Sequence, residues 1–201
     1  MLGPRFALVV EGARAGDEAA FAVLWRDVHP ALMRYLRVVA GDDADDIASE
    51  TWSRVATLLT RFEGGEDNFR AWIFTIARRR AIDWQRHNAR RPAIPVAPDS
   101  YHLAQRAVDD PSDIALEAIS TDAALELVAT LPPDQAEVVM LRTIAGLDVN
   151  RVAEIVGKRP GTVRVLAHRG LRSLARRVAA PVPASDTAPA PDPVTQAPVT
   201  R

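Results

Sequence analysis

The side chains best suited to specific binding lie in residues 149–168, VNRVAEIVGKRPGTVRVLAH. Ala153, Gly157 and Val163 stand at the spacing of a helix-turn-helix. The other buried positions of that motif hold Val152, Val156 and Leu166. In such a motif a small residue lies where the helices cross, a glycine takes positive φ in the turn, and an apolar residue seals the second helix. The register therefore predicts a helix-turn-helix.

The second helix of this motif has two unlike sides when it is turned at about 100° per residue. The side predicted to pack on the core holds Val163, Ala167, Gly170, Leu171 and Leu174. The opposite side holds Gly161, Val165, His168, Arg169, Arg172 and Arg176, with Thr162 and Arg164 on its flanks. A basic, acid-free face suits the DNA major groove, where Val165 meets a thymine methyl and the late arginines meet phosphates. The alternative is a helical hairpin with a solvated arginine face.

A second basic stretch, residues 71–91, reads AWIFTIARRRAIDWQRHNARR. Aromatic rings can stack on unpaired bases while arginines hold the strand, so this mixture suits single-stranded nucleic acid. The competing interpretation places Trp72 in the core and pairs Arg79 with Asp83 one helical turn away.

Other function classes lack the residues they require. The chain has no cysteine, which excludes disulfide scaffolds, cysteine-ligated zinc and thiol nucleophiles. Four scattered histidines show no metal-ligand spacing, and no P-loop is present. We therefore expect no enzymatic activity, no cofactor and no metal site. No apolar run approaches the roughly 20 residues that cross a bilayer, and the start makes a poor signal peptide, so we expect a cytoplasmic protein without direct membrane insertion.

The net charge of −1 hides a segregation of charge along the 201 residues. Residues 70–91 carry a net +6 and residues 158–177 carry seven bases without an acid, whereas residues 99–137 between them carry a net −8. This pattern indicates two polyanion-binding surfaces joined by an acidic connector. Prolines mark the boundaries: we predict a domain over 1–91, a linker over 92–120, a second domain over 121–179, and a disordered Pro/Ala-rich tail over 180–201.

Strand signals are weak, and the apolar spacing predicts an all-α fold for both domains. Asp17 is predicted to cap a first helix that Pro30 bends or breaks. The first helix carries the stripe Phe21, Leu24, Val28, Leu32 and Leu36, and the second, capped by Asp42 and Asp43, carries Ala48, Trp52, Val55 and Leu59.

Caps and apolar spacing also predict the later helices. Asp67 is predicted to cap a third helix over 68–90, with Phe69, Trp72, Ile73 and Ile76 as its stripe and Phe74 facing a second contact. In the second domain we predict helices over 121–130 and, capped by Asp134, through Ile144.

The segments GDEAAF, DADDIASETWSRV, FRAWIFTIARRRAIDWQRH, LPPDQAEVVMLRTIAGL and VAEIVGKRPGTVRVLAHRGLRSLARR follow one another in this order. The series resembles the extracytoplasmic-function (ECF) sigma factors of bacterial RNA polymerase over roughly residues 15–91 and 120–178. The resemblance implies two helical sigma domains that bind core polymerase and direct promoter-specific initiation, without bond chemistry of their own. The rival is a stand-alone helix-turn-helix regulator, which leaves the acidic DDIASE segment and the arginine helix unexplained.

The resemblance also implies roles for individual residues of the first domain. The segment that grips the clamp helices of the largest polymerase subunit matches Asp46, Ser49 and Glu50. The specificity loop that captures a flipped base of the −10 element matches Phe62, Glu63, Gly64, Gly65 and Asn68. The −10 binding and melting segment matches Arg78, Arg79, Arg80, Arg86, Arg90 and Arg91. Arg79 stands where the family often has asparagine.

The helix-turn-helix matches the family's reader of the −35 element. Its implied contacts are Lys158, Arg159, Gly161, Thr162, Arg164, Val165, His168, Arg169, Arg172 and Arg176. The surroundings of this motif resemble the surface that docks on the polymerase flap, and the acidic linker matches a segment threaded near the active centre. An anti-sigma factor, often membrane-bound, is a further implied partner.

Overall fold

The structure, a computed structural model, describes residues 1–88 and 113–179, with side chains from residue 121 onward in the second range. The helices are α1 (Phe6–Arg14), α2 (Glu18–Ala40), α3 (Ala44–Leu58), α4 (Glu66–Asn88), α5 (Asp113–Ala129), α6 (Pro133–Thr143), α7 (Val149–Val156) and α8 (Pro160–Ala179). Short 3-10 turns cover Gly3–Arg5, Gly41–Asp43 and Leu59–Arg61. No strand occurs in the described ranges, and the all-α prediction is confirmed. The predicted linker, for the most part, and the tail lie outside those ranges.

The predicted cap and stripe of α2 are both present. The Asp17 carboxylate accepts hydrogen bonds from the backbone N–H groups of Ala19 and Ala20, at 2.8 and 3.2 Å. Four of the five stripe residues are buried, and Phe21 is half-buried. Of the predicted bend or break at Pro30, the break is wrong, because α2 runs through this residue. Pro30 lies on the exposed side, where water can bind the carbonyl that lacks an N–H partner.

The starts of three helices differ from the prediction. A 3-10 turn precedes α3, and neither Asp42 nor Asp43 makes a side-chain cap to the helix. Helix α4 begins at Glu66, so Asp67 lies inside its first turn. Helix α6 begins at Pro133, whose fixed φ suits a first helical position, and Asp134 therefore follows the cap position instead of occupying it.

The helix-turn-helix is confirmed in α7 and α8. Gly157 has φ +68°, and Val163 has no exposed area. Asp148 caps α7 by accepting from the N–H groups of Asn150 and Arg151, and these bonds hold its pKa below the ordinary value. One residue of the predicted buried side differs: Leu171 is 47% exposed. At about 100° per residue it lies roughly 80° from Val163, at the edge of the stripe.

The N-terminal half (residues 1–88) and the C-terminal half (residues 113–179) contact each other directly. Helix α2 packs on α5 and α6, and α4 packs on α7. Buried apolar side chains form one continuous cluster from Phe6 in α1 to Val163 in α8. Tyr35 is fully buried at the junction, with its ring centroid 5.4 Å from that of Phe74. The two halves therefore share a core, although they are separate stretches of sequence.

Candidate nucleic-acid interface

The outer side of α8 presents cations to solvent. We call the exposed side chains of Arg164, Val165, His168, Arg169, Arg172 and Arg176 the basic face. Within the described ranges, no carboxylate lies at ion-pair distance from any of its four arginines. Val165 is 48% exposed among these cations, although it is apolar. Unpaired guanidinium groups around an apolar side chain can bind phosphates while the methyls contact a base edge.

One residue in the turn before α8 is already bound by another part of the protein. Gly161 and Thr162 in its first turn are exposed, as is Arg159 before it. The ammonium of Lys158, however, lies 2.9 Å from the Asp134 carboxylate at the start of α6. Of the predicted −35 contacts in this region, Lys158 is therefore the one already held by an ion pair, and that pair ties the turn of the motif to α6.

The arginines of α4 differ in their surroundings. Arg79 and Arg86 are exposed, and Arg80 is half-buried with Nη1 at 3.8 Å from the Glu50 carboxylate. Asp83, considered above as a partner of Arg79, lies 3.9 Å from Arg86 instead. The remaining predicted arginines are Arg78, which the C-terminal half engages, and Arg90 and Arg91, which lie outside the described residues.

The loop before α4 is shaped by a glycine and supported by aromatic rings. Gly64 has φ +131°, and a Cβ there would lie 2.6 Å from Nδ2 of Asn68, so only glycine fits. Phe62 is buried, with its ring centroid 5.3 Å from Phe69 and 5.2 Å from Trp72. Phe62 thus supports the loop from the core. The exposed residues of the loop are Glu63, Gly64 and Gly65.

A cleft of about 650 Å³ separates this loop from α7. We call it the loop cleft. Its N-terminal wall includes Phe62, Glu63, Asn68 and Trp72, and its C-terminal wall consists of Arg151, Glu154 and Ile155. Its size is that of a small-ligand pocket, which is enough for a nucleobase. The C-terminal half therefore forms one wall of the site that the sequence assigns to the N-terminal half alone.

Two polar contacts join the halves at predicted DNA-binding residues. Arg78 donates from Nε and Nη2 to the Glu137 carboxylate at 2.8 and 3.3 Å, and Tyr35 Oη donates to the same carboxylate at 3.0 Å. Arg151 donates to the Asn68 side-chain oxygen. Burial, followed by the Glu137 charge, raises the pKa of Tyr35 well above its ordinary value, so the phenol stays protonated and donates.

Sequence reasoning missed Tyr35, Glu137 and Arg151 as members of this site. Each has an ordinary local explanation, because Tyr35 lies beside the apolar stripe of α2, Glu137 in an acidic run and Arg151 in the first helix of the motif. Only the contacts between distant segments identify them.

The predicted polymerase-binding residues share one side of α3. Asp46, Ser49 and Glu50 are exposed, whereas Ile47 and Ala48 between them are buried. The spacing of three and four residues places the exposed group on one helical face. We call these three residues the α3 surface, and none of them takes part in the contacts between the halves described here. Within the N-terminal half, the Glu50 carboxylate lies 3.8 Å from Arg80 Nη1.

Aromatic side chains of α2 contact the buried Trp52 of α3. Trp52 Nε1 donates to His29 Nδ1 at 3.2 Å, and the Trp25 ring stacks on His29 with centroids 4.1 Å apart. Burial lowers the pKa of His29, although the charge of Asp45 opposes that effect. The hydrogen bond from Trp52 also requires an unprotonated Nδ1, so the neutral imidazole is the form that fits.

Neither a metal-binding cluster nor a membrane-spanning helix occurs among the described residues. Across residues 1–88 and 113–179, no group of three or more His, Asp or Glu side chains is arranged to hold a metal ion. No helix in the part of the chain that the structure describes is long and apolar enough to cross a membrane.

Each half of the chain matches the sequence profile of a known protein family. The sequence profile of Sigma-70 region 2 matches residues 24–91, from within α2 to beyond the end of α4, and that of Sigma-70, region 4 matches residues 121–174, from within α5 through most of α8. The family boundaries therefore coincide with the two segments that carry the arginine helix and the helix-turn-helix.

Individual relatives agree with the profiles. The ECF RNA polymerase sigma factor BldN of Streptomyces coelicolor is 34% identical over 174 residues, which are 86% of this chain and 65% of that protein. The ECF RNA polymerase sigma factor SigD of Mycobacterium tuberculosis is 33% identical over 188 residues, covering 90% of this chain and 87% of SigD. The sigma factor RpoE of Bartonella quintana, solved in complex with the anti-sigma factor NepR, shares the fold at a TM-score of 0.56 and 22% identity, over 79% of this chain and 96% of RpoE.

Proposed function

This chain belongs to the extracytoplasmic-function family of RNA polymerase sigma factors, and from that premise we propose that it binds core polymerase and selects promoters through two separate DNA contacts. Promoter selection is a binding function. In this proposal the polymerase carries out all bond chemistry, and the chain contributes binding surfaces without a cofactor.

The basic face of α8 is the observation that carries the proposal. Its four arginines lack carboxylate partners in the described ranges, and the opposite side of the helix is fixed to the core by Val163 and Gly170. A helix anchored in this way can enter the major groove of the −35 element with its first turns on base edges. We assign base reading to Thr162, Arg164 and Val165, which lie early in the helix, and phosphate contacts to Arg172 and Arg176, which lie later.

The loop before α4 and the arginines of that helix form the second DNA contact. A base flipped out of the −10 element needs a pocket, and the strand that carries it needs cations. The loop cleft supplies the pocket, with Asn68 as its hydrogen-bonding side chain. The exposed Arg79 and Arg86 and the half-buried Arg80 supply the cations along the helix.

The α3 surface of Asp46, Ser49 and Glu50 is the proposed contact with the polymerase clamp helices. Because this surface and the basic face are both exposed, the polymerase and the −35 element can be bound at once. We propose an anti-sigma factor as a further partner, by likeness to the RpoE–NepR complex.

Reconstituted transcription tests the function directly. The purified chain is added to sigma-free core polymerase with a pool of genomic promoter fragments, and start sites are read by sequencing. We expect clustered new start sites that share an upstream element. Glu50→Lys is expected to abolish these starts by weakening binding to core, and Glu126→Lys, an equal charge change at an exposed glutamate of α5, is the matched control.

Two outcomes would contradict the proposal in different ways. Binding of duplex DNA without binding of core would favour a stand-alone regulator. Equal loss of activity in both charge-reversal variants would remove the assignment of the α3 surface while leaving the sigma function in place.

A further inference from the structure

An apolar groove of about 380 Å³ lies between the N-terminal part of α2 and the end of α3. We call it the α2 groove. Its apolar lining residues include Phe21, Ala22, Trp25, Ala56 and Leu59. The charged residues that line it, Asp17 and Glu18, are neighbours at the start of α2. The groove is therefore mainly apolar, with negative charge at one end.

The Trp25 ring is a fixed part of this groove. It stacks on His29 with ring centroids 4.1 Å apart, yet Trp25 remains 39% exposed. Phe21 is half-buried, and its ring centroid lies 5.9 Å from that of Trp52. Grooves lined by aromatic rings bind proline-rich segments in the polyproline II conformation, because such segments lose little entropy on binding. Two rings held in place by their neighbours form a site of this kind.

The chain itself carries a proline-rich segment after α8. Residues 190–199, which lie outside the described residues, read APDPVTQAPV. Residues three apart share an edge of a polyproline II helix. On that repeat Pro191, Val194 and Ala197 form one apolar edge, whereas Asp192 falls on another edge. The segment can therefore present apolar side chains to the groove and turn its acid away from the negative end.

The groove and the segment also agree in length. The axis of α2 rises about 10 Å from Glu18 to Trp25. Residues three apart in a polyproline II helix are separated by about 9 Å. Two successive residues of the apolar edge, Pro191 and Val194, therefore match the groove from one end to the other.

The segment is long enough to reach the groove from the end of α8. Leu174 of α8 and Val38 of α2 pack against the same small cluster, which consists of Leu131, Ala136 and Val139. The late part of α8 thus lies near the late part of α2. The axis of α2 measures about 20 Å from Val38 back to Trp25. The chain from Ala179 to Pro191 can span about 40 Å when extended, which leaves length to pass around α2.

We propose that residues 190–199 bind in the α2 groove of their own chain as a polyproline II segment, with Pro191 and Val194 against the rings of Trp25 and Phe21. Tethering favours this occupant over a free peptide of equal affinity, because a short linker holds its ligand at an effective concentration of about millimolar. Binding of the segment is independent of the function proposed above.

A spin label in the full-length chain reports where the segment lies. The chain has no cysteine, so Thr187→Cys provides a single attachment site for a nitroxide just before the proposed contact. The readout is the intensity that each of the four tryptophan indole N–H signals loses relative to the reduced label. Trp25 marks the groove. Trp84 marks the other end of α2, because its neighbour Gln85 donates to the Val39 carbonyl at 2.9 Å.

We expect the Trp25 signal to lose more intensity than the Trp84 signal, because docking carries the label about 20 Å along α2 from the end where the tail begins. Replacing both Pro191 and Val194 by serine removes the contact edge, and it should weaken docking about tenfold and reverse the order of the two signals. The matched control replaces Thr195 and Pro198 by serine. It also removes one proline but keeps the contact edge, so the original order should persist.

A second pair of variants tests the groove. Ala56→Asp places a carboxylate in the apolar lining and should reverse the order of the two signals in the same way, because docking would bury an unpaired charge. Thr57→Asp, at the next exposed position of α3 and outside the lining, is the control and should have no effect. Far-UV circular dichroism checks that each variant keeps its helices.

The other possible occupants give different results. A Trp84 signal that loses as much intensity as the Trp25 signal in the otherwise unmodified chain overturns the proposal and leaves the groove to a partner protein. A Trp25 loss that survives both the serine pair and Ala56→Asp overturns it as well. Isotope-labelled chains without nitroxide, mixed with spin-labelled chains, test for a second copy. Loss of their Trp25 signal would assign the segment to the groove of another molecule and refute binding within one chain.

Discussion

The crossing of α6 and α8 leaves no room for a side chain at Gly170. This glycine is buried, and a Cβ there would lie 2.7 Å from Val139 Cγ2 and 3.5 Å from Leu131 Cδ1. Val139 is 2% exposed, and a valine in a helix has essentially one χ1 rotamer, so its methyl cannot turn aside. We expect Gly170→Ala to lower the stability of the C-terminal half.

Two opposing contributions decide whether Gly170→Ala stabilises or destabilises the protein. At an exposed helical position, glycine to alanine stabilises by about 1 kcal/mol. Forcing a carbon into a packed core costs about 1–3 kcal/mol, and a 2.7 Å approach to a rigid methyl belongs in the upper part of that range. The expected net destabilisation is therefore about 1 kcal/mol. Val139→Ala removes the opposing methyl, so the double variant should recover about 1 kcal/mol relative to the sum of the single changes.

Urea unfolding measures both the destabilisation by Gly170→Ala and the recovery in the double variant with Val139→Ala. Circular dichroism at 222 nm reports all helices, whereas tryptophan fluorescence reports the N-terminal half alone, since that half contains Trp25, Trp52, Trp72 and Trp84. Fluorescence therefore shows whether the C-terminal change reaches the other half through the shared core. A Gly170→Ala protein that is more stable than the parent, or a double variant that recovers nothing, would refute the close crossing.

Three further predictions concern the proposed binding surfaces and their support. Stability should fall as pH drops below the ordinary histidine pKa of 6.5, because burial lowers the pKa of His29 and the unfolded chain then binds the proton more readily; thermal melts of His29→Gln should lose most of that dependence. Gly64→Ala should weaken −10 single-strand binding by core-bound protein about tenfold, because its Cβ overlaps the neighbouring amide side chain, and Gly65→Ala, with no atom within 4 Å, should cost less in the same titration. Replacing Arg172 and Arg176 by glutamine should weaken duplex binding alike for all sequences and flatten the logarithmic salt slope by about 2; a loss confined to one base position would contradict their assignment to phosphates.

Local rules predicted the C-terminal motif because its determinants lie close together in the chain. Ala153, Gly157 and Val163 lie within eleven consecutive residues, and the burial of Ala153 and Val163 and the positive φ of Gly157 are those the spacing requires. The cap of α2 at Asp17 is local in the same sense. The misplaced starts of α3 and α6 show the limit of such rules, because several residues near each boundary can begin a helix and packing chooses among them.

The contacts between the halves could not be predicted in this way. Glu137 belongs to an acidic stretch that the charge pattern attributes to the connector, and its partner Arg78 lies 59 residues earlier in a cluster of cations. Nothing in the order of residues distinguishes that one pair from the many others that opposite charges allow. The pairing depends on how α2 and α4 present their sides to α6 and α7, which is set by the shared apolar core.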